Sequence, residues 1–359
     1  MLFPKTCTLL FFFLFLTYFF LMYSSQSWLW NWLKWCPTSE TLLADAEARI
    51  LNSLDITYEG RFITTSQQDQ IWTVVFNKSG TKTPVLMIHG LGAGLGIWVM
   101  NIKELAKNRP VYTFDLLGFG RSSRSNFDED PQTVEETFVN SIEDTIKELG
   151  LEKCILIGHS FGGYLAYAYA IKHPEHVKSL ILVDPWGITE KTQDWEQNEH
   201  VPKWIKMMAA MLSPFNPYAA LRFVGPLGPV FLRTTRPDLE KKYTSVFSDD
   251  TIPNYLYHCN AQTPSGETGF KRLTIPYLWP RFPMMHRIED LTPDVKVFML
   301  FGSRTRIDDS ISNDILTRRP EQFEICSIKN AGHHVFADRP DAFNEKVKEI
   351  CQKVEEIST

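Results

Sequence analysis

The residues of this sequence best suited to chemistry lie in one short glycine-rich segment, Gly158-His159-Ser160-Phe161-Gly162. An apolar run at residues 154–157 precedes it and predicts a buried strand, and residues 164–170 predict a tightly packed helix. Strand, Gly-x-Ser-x-Gly and helix in this order are typical of a nucleophile elbow. The pattern therefore predicts Ser160 as a nucleophile and the amide of Phe161, at a helix N-terminus, as an oxyanion donor. The alternative is a structural turn that merely retains the pattern.

A serine nucleophile needs a base that takes its proton, and the base needs an acid that holds its tautomer. In chains with such an elbow the order along the sequence is Ser, acid, His. His333 follows an Ala-Gly turn after the last predicted strand, and His334 is its rival. We predict His333 as the base, because a Gly-His junction is the commoner arrangement.

The acid is expected in the loop after the predicted strand that ends at Gly302. Many hydrolases place an aspartate three residues after such a glycine, where this chain has Thr305. Asp308 is therefore the first choice, Asp309 the second and Asp184, after an earlier strand, the third. Either aspartate of the 302–309 loop would also suit a helix cap.

A second glycine-rich strand end, residues 89–94, begins His89-Gly90. It lacks the Gly-Lys-Ser/Thr of a phosphate-binding loop. A His-Gly start fits an oxyanion loop better, with the amide of Leu91 as the second donor. Asp115, at the next strand end, is expected to anchor the neighbouring loop.

Short apolar strands alternate with helical segments through most of the chain, which predicts a mainly parallel sheet covered by helices on both faces. Residues 186–285 interrupt this alternation and are rich in Trp, Met, Phe and Pro. We expect them to form a helical cap, inserted between a first part of the core at residues 38–185 and a second part at residues 286–359. Their adaptable apolar side chains suit acyl chains and also suit any small helical core.

Charge and cysteine content exclude several classes of function. The 359 residues carry a formal charge of −5, so no broad basic field indicates a nucleic-acid partner. The six cysteines include no Cys-x-x-Cys pair, which argues against a disulfide scaffold or a zinc site.

The N-terminus, residues 1–37, is predicted to tether the protein to a lipid surface. Residues 7–23 are apolar and uncharged, and as a helix they would reach about 26 Å, near the thickness of a bilayer core. A retained anchor and a cleaved signal both fit this length, and we favour the anchor. Four clustered tryptophans come next, and their side chains are typical of a membrane interface or, alternatively, of an aromatic clasp against the domain. They are Trp28, Trp30, Trp32 and Trp35.

These motifs resemble those of the alpha/beta-hydrolase-domain proteins, in the subgroup of members four and five. The resemblance covers about residue 28 to the C-terminus, and the shared stretches are residues 32–39, 89–90, 115–123, 158–163 and 333–338. It implies an alpha/beta-hydrolase fold, with the loop acid aligned at Asp308. It also implies activity on lipids: lysophospholipase activity on N-acyl phospholipids in member four, and lipase co-activation with lysophosphatidate acyl transfer in member five. Member five has Asn at the elbow, so Ser160 favours the catalytic branch. Residues 333–338 match an H-x4-D acyltransferase pattern.

The expected function is that of a membrane- or lipid-droplet-associated serine hydrolase or acyltransferase of lysophospholipids or N-acyl phospholipids. The alternative is a non-catalytic droplet protein that co-activates a triacylglycerol lipase. No cofactor or metal is expected, and acyl-CoA would serve only as a co-substrate for acyl transfer. The expected partners are a lipid substrate, a membrane or droplet surface, and a lipase or droplet-coat protein. The expected location is a lipid droplet or endoplasmic reticulum surface, with the domain facing the cytosol.

Overall fold

The structure is a computed structural model that describes residues 35–190, 216–305 and 309–356. The apolar segment 7–23 and three of the four clustered tryptophans, Trp28, Trp30 and Trp32, lie outside these residues, and so does Asp308.

Within the described residues, eight strands form one sheet with the order β1-β2-β4-β3-β5-β6-β7-β8. The strands are β1 (Tyr58–Thr64), β2 (Gln70–Phe76), β3 (Val85–Ile88), β4 (Val111–Phe114), β5 (Cys154–His159), β6 (Val177–Val183), β7 (Lys296–Gly302) and β8 (Phe323–Ile328). The β2 strand pairs antiparallel with β1 and with β4, and every other neighbouring pair is parallel. The carboxyl ends of β3, β5, β6 and β7 therefore meet at one edge of the sheet, where Ser160 follows β5.

Seven α-helices lie outside the cap in the described part of the chain. They are α1 (Glu40–Asn52), α2 (Val99–Leu105), α3 (Pro131–Glu148), α4 (Phe161–Lys172), α10 (Asp309–Arg318), α11 (Val335–Asp338) and α12 (Pro340–Glu356). Helices α5 to α9 belong to the cap. Side chains alternate along β3, so that Leu86 belongs to a core with α3 and α4. Met87 belongs to a second core, with α1, α2 and α12. Helices thus cover both faces of the sheet, and the predicted fold class is confirmed.

Local sequence explains where two of these helices begin. The hydroxyl of Ser39 accepts a hydrogen bond from the Leu42 amide and caps α1. Asp130 caps α3 in the same way, and Pro131 occupies its first turn. The last helix, α12, has an apolar stripe that runs from Phe343 to Val354, and polar residues extend the helix at both ends.

The cap lies between β6 and β7, and its described helices are α5 (Ala219–Phe223), α6 (Gly228–Thr235), α7 (Pro237–Lys242), α8 (Thr251–Asn260) and α9 (Ser265–Arg272). A small antiparallel pair, Thr274–Ile275 with Trp279–Pro280, follows them. Residues 191–215 lie outside the described residues, and the boundaries 186–285 stay a prediction.

Candidate active site

Ser160 occupies a strained turn between β5 and α4. Its backbone angles are φ 52° and ψ −118°, a conformation that non-glycine residues rarely adopt and that costs about 1–3 kcal/mol. The Ser160 amide donates to Val183 O at 3.0 Å, and the Trp186 amide donates to Ser160 O at 3.1 Å. Both backbone groups of the serine are therefore tied to the end of β6, which holds the strained conformation.

The elbow glycines leave no room for a side chain. A β-carbon at Gly158 would lie 2.5 Å from Gly162 O, and one at Gly162 would lie 2.3 Å from His89 O. A side chain at either position would therefore clash with backbone atoms. The second contact also shows that the start of α4 packs directly on the loop after β3.

His333 meets a carboxylate at this edge of the sheet. Its Nδ1 makes a short hydrogen bond with Asp184 Oδ2, and its side chain is half-exposed while that of Asp184 is buried. The Nε2–H of His159 donates to His333 O at 2.9 Å, so His159, the residue before Ser160, also holds the loop that carries His333. An imidazole held at Nδ1 by a carboxylate has its Nε2 available for proton transfer.

Asp184, the third choice from sequence, is thus the carboxylate that the described residues bring to His333. It follows β6 directly, and its amide donates to Leu300 O in the neighbouring strand β7. Thr305, which stands where many hydrolases have their acid, donates from its hydroxyl to Asp184 Oδ1 at 2.9 Å. Asp308 lies outside the described residues, and Asp309 begins α10. The signal for Asp184 in the sequence was its place at the end of a parallel strand next to the elbow.

His334 faces the cap and has a different neighbour. Lys242, at the end of α7, donates to His334 Nδ1 at 3.1 Å. Burial and this ammonium lower the pKa of His334 to about 3. A neutral ring already engaged at Nδ1 by a cation lacks the carboxylate partner that His333 has.

The aspartate of the H-x4-D pattern, Asp338, anchors the histidine loop. Its Oδ2 accepts from the Gly332 amide at 2.7 Å, and its Oδ1 lies 3.4 Å from Lys242 Nζ. Both carboxylate oxygens of Asp338 thus have partners in the structure, the Gly332 amide and the Lys242 ammonium. Sequence reasoning did not predict this anchoring role.

The two predicted oxyanion donors lie at adjoining positions. Phe161 is the first residue of α4, where the amides have no partner within the helix. Leu91 follows β3 in the loop that packs on Gly162, and the partial positive charge of the helix N-terminus lies beside it. Such an arrangement can stabilise negative charge on an oxygen bound near Ser160.

Asp115 anchors this region, as expected from its place after β4. Its carboxylate accepts from the Leu95 and Arg121 amides, both at 2.7 Å. Behind it Glu47 of α1 is buried and accepts from Trp72 Nε1 and Arg121, and burial together with Asp115 raises the pKa of Glu47 to about 8.

A cleft of about 380 Å³ lies at the opposite edge of the sheet. Lys153, Lys178 and Lys296 line it, at the amino ends of β5, β6 and β7. Ser160 lies at the carboxyl end of β5, so this cleft is separate from the candidate site.

No helix among the described residues is both long and apolar enough to cross a bilayer.

The chain is similar to known proteins over most of its length. The family profile described as alpha/beta hydrolase fold matches residues 83–340.

Two curated human proteins are similar to this chain over most of its length. One is named 1-acylglycerol-3-phosphate O-acyltransferase ABHD5, and it is 48% identical over 89% of this chain and 92% of its own. The other is named (Lyso)-N-acylphosphatidylethanolamine lipase, and it is 45% identical over 92% of this chain and 98% of its own. A solved putative lipase from Acinetobacter baumannii AYE, 17% identical, matches the fold with a TM-score of 0.62 over 88% of this chain and 97% of its own. The chain therefore belongs to the alpha/beta hydrolase family, in the group that contains these two human relatives.

Proposed function

We propose that this protein is a serine hydrolase or acyltransferase that acts on acyl groups of lysophospholipids or N-acyl phospholipids. The observation that carries the proposal is a serine in a strained elbow at the sheet edge where a histidine is paired with a buried aspartate. A strained backbone persists where the surrounding structure holds it, and such positions cluster at active sites. The activity class is that of a carboxylic ester hydrolase.

Catalysis would proceed through an acyl-enzyme. Ser160 Oγ attacks the carbonyl carbon while His333 Nε2 takes its proton, and the amides of Leu91 and Phe161 hold the oxyanion. The ester bond then breaks, and the leaving alcohol takes the proton from His333. In hydrolysis, water attacks the acyl-enzyme and releases a fatty acid. In acyl transfer, a lysophosphatidate hydroxyl attacks instead; if acyl-CoA is the donor, the first step breaks its thioester and releases the thiol.

We assign the acid of this site to Asp184 and not to Asp308. Support comes from the hydrogen bond to His333 Nδ1 and from the Thr305 hydroxyl, which fixes the other carboxylate oxygen. A buried carboxylate with a second donor keeps one orientation, so it can hold the imidazole tautomer that catalysis needs. Asp308, favoured by the resemblance, is the competing assignment.

The substrate class rests on the names of the two human relatives, a (lyso)-N-acylphosphatidylethanolamine lipase and a 1-acylglycerol-3-phosphate O-acyltransferase. Both names describe reactions at acyl groups of glycerophospholipids. Water as the acceptor requires no co-substrate, whereas transfer to a lysophospholipid requires an acyl donor such as acyl-CoA.

We further propose that the protein works at a membrane or lipid-droplet surface, on the endoplasmic reticulum or on droplets, with its domain facing the cytosol. The Trp35 indole donates to Phe223 O in the cap and is still 49% exposed. Leu227 and Val230, a few residues further along the cap, are 66% and 60% exposed. Exposed apolar side chains next to the end of the apolar N-terminal region fit a lipid surface. A lipase or droplet-coat protein as a partner belongs to the same proposal.

The test is turnover of a panel of lysophospholipids and N-acyl phospholipids by the purified full chain, with and without acyl-CoA, beside Ser160→Ala. Release of fatty acid without acyl-CoA, abolished in the variant, would establish hydrolysis. Phosphatidate formed from lysophosphatidate and acyl-CoA, and lost in the variant, would establish transfer. No product from either protein would refute the proposal and favour the non-catalytic co-activator of a triacylglycerol lipase, whereas equal product from both would refute Ser160 as the nucleophile.

A further inference from the structure

The loop that carries Leu91 is a four-residue turn. The Ala93 amide donates to Gly90 O at 3.3 Å, and Gly92, at the third position, has φ +70°. A positive φ at this position defines a type II turn and requires glycine or asparagine. The conformation of the turn decides where the Leu91 amide points.

The first peptide plane of the turn is fixed from the core. His89 Nε2 accepts from the Leu116 amide at 3.0 Å, so the ring proton lies on Nδ1 and donates to Gly90 O at 2.8 Å. In a planar trans peptide the carbonyl and the following N–H point in opposite directions. The His89 contact therefore also sets the direction of the Leu91 N–H.

The next two carbonyls are held from the cap. The Tyr218 hydroxyl donates to Leu91 O at 3.3 Å, and Asn260 Nδ2 donates to Gly92 O at 2.7 Å. A β-carbon at position 92 would lie 1.8 Å from the Tyr218 hydroxyl oxygen, so the tyrosine rests directly on the turn. Burial raises the pKa of Tyr218 to about 12, which keeps its hydroxyl proton in place at neutral pH.

A buried ion pair fixes these two cap residues. Arg222 and Glu267 are joined by two hydrogen bonds of 2.7 and 2.8 Å, and both are almost fully buried. Arg222 also donates to Asn260 O at 2.8 Å, and Glu267 accepts from the Tyr218 amide at 3.3 Å. Two parallel hydrogen bonds give such a pair a defined geometry. The two donors therefore reach the turn from one rigid part of the cap.

We propose that Tyr218 and Asn260 are positioning residues that hold the oxyanion turn in its working conformation from the cap. The inference rests on the proposed function, since it takes Leu91 as an oxyanion donor. It adds that the cap determines the geometry in which negative charge is stabilised. Neither residue touches the reacting atoms.

The test compares Tyr218→Phe with Tyr243→Phe. Tyr243, a buried cap residue, likewise donates from its hydroxyl to a core carbonyl, Ile97 O at 2.9 Å, but outside the turn. Tyr218→Phe should lower kcat on a water-soluble ester about 3- to 10-fold with KM unchanged. The inhibition constant of a trifluoromethyl ketone, which adds to serine and carries an oxyanion, should rise by the same factor. Adding Asn260→Leu should bring the loss to about 100-fold, and Tyr243→Phe should change neither constant.

Equal effects of the two tyrosine variants, or a change in KM alone, would overturn the proposal. Hydrogen exchange of the amides at residues 90–93 gives a readout that needs no activity, measured also in the Ser160→Ala background. It should accelerate in Tyr218→Phe and not in Tyr243→Phe, and equal exchange in both would also overturn the proposal. A wild type that neither turns over esters nor reacts with the ketone would count against the proposed function, and the exchange result would still decide whether the cap holds the turn.

Discussion

Replacing Asp184 by Asn tests the assignment of the acid, because it removes a charge and keeps the size of the side chain. In the proposed mechanism, His333 becomes an imidazolium next to the Asp184 carboxylate as Ser160 loses its proton. Two charges about 4 Å apart interact with about 4 kcal/mol at an effective dielectric constant of about 20. The His333 side chain is 44% exposed, so solvent weakens this interaction and we expect about 2–4 kcal/mol. The predicted loss in kcat is therefore about 30- to 1,000-fold.

The assay is steady-state turnover of a water-soluble ester, with Asp308→Asn and Asp309→Asn as matched controls. KM should change little, because Asp184 is buried behind the histidine and does not reach the substrate. Each control should stay within about threefold of wild type on this account. A larger loss in Asp308→Asn than in Asp184→Asn would refute the assignment and move the role to the 302–309 loop, as the resemblance implies.

Three further predictions concern pH and the lipid surface. The pKa of Glu47 is about 8 in the folded protein and near 4.5 in the unfolded chain, so the free energy of unfolding should fall as pH rises between these values. Melting curves of Glu47→Gln should show a smaller fall, and an equal fall would contradict the raised pKa of Glu47. Lys242→Met should raise the pKa of His334 from about 3 and leave it below 6.5, because burial is the larger cause of the low pKa. An NMR titration that finds no rise would show that the Lys242 ammonium does not lower this pKa. In a chain without residues 1–25, the double change Trp35→Ala with Leu227→Ser should weaken flotation with liposomes about tenfold and leave ester turnover unchanged. Flotation equal to that of the parent chain would favour the aromatic clasp of the tryptophans against the domain.

Much of the fold could be predicted because its signals are local. Apolar runs bounded by turn residues mark the strands, and the strand predicted at residues 154–157 lies within β5 (Cys154–His159). The elbow could be predicted because Gly-x-Ser-x-Gly is itself a local pattern; Gly158 is required by contacts with Gly162 and Gly163, and Gly162 by the packing of α4 on the loop after β3. The short helix α11 was not predicted, because four residues are too few for a periodic pattern.

The acid could not be chosen from sequence, because it depends on which of two neighbouring strand ends reaches His333. Asp184 follows β6 and the 302–309 loop follows β7, and these strands pair in parallel, so both ends lie at the same edge. The hydrogen bonds that His333 and Thr305 make with Asp184 support our assignment of the acid to Asp184. The contacts of Tyr218 and Asn260 with the turn join residues more than a hundred positions apart, and no local pattern announces them.

The role of Ser160 as the nucleophile can be tested by labelling the full chain with a fluorophosphonate and mapping the modified peptide by mass spectrometry. We expect one adduct, on Ser160, that disappears in Ser160→Ala together with at least a thousandfold loss of ester turnover. An adduct on another residue, or turnover by Ser160→Ala within tenfold of wild type, would contradict it.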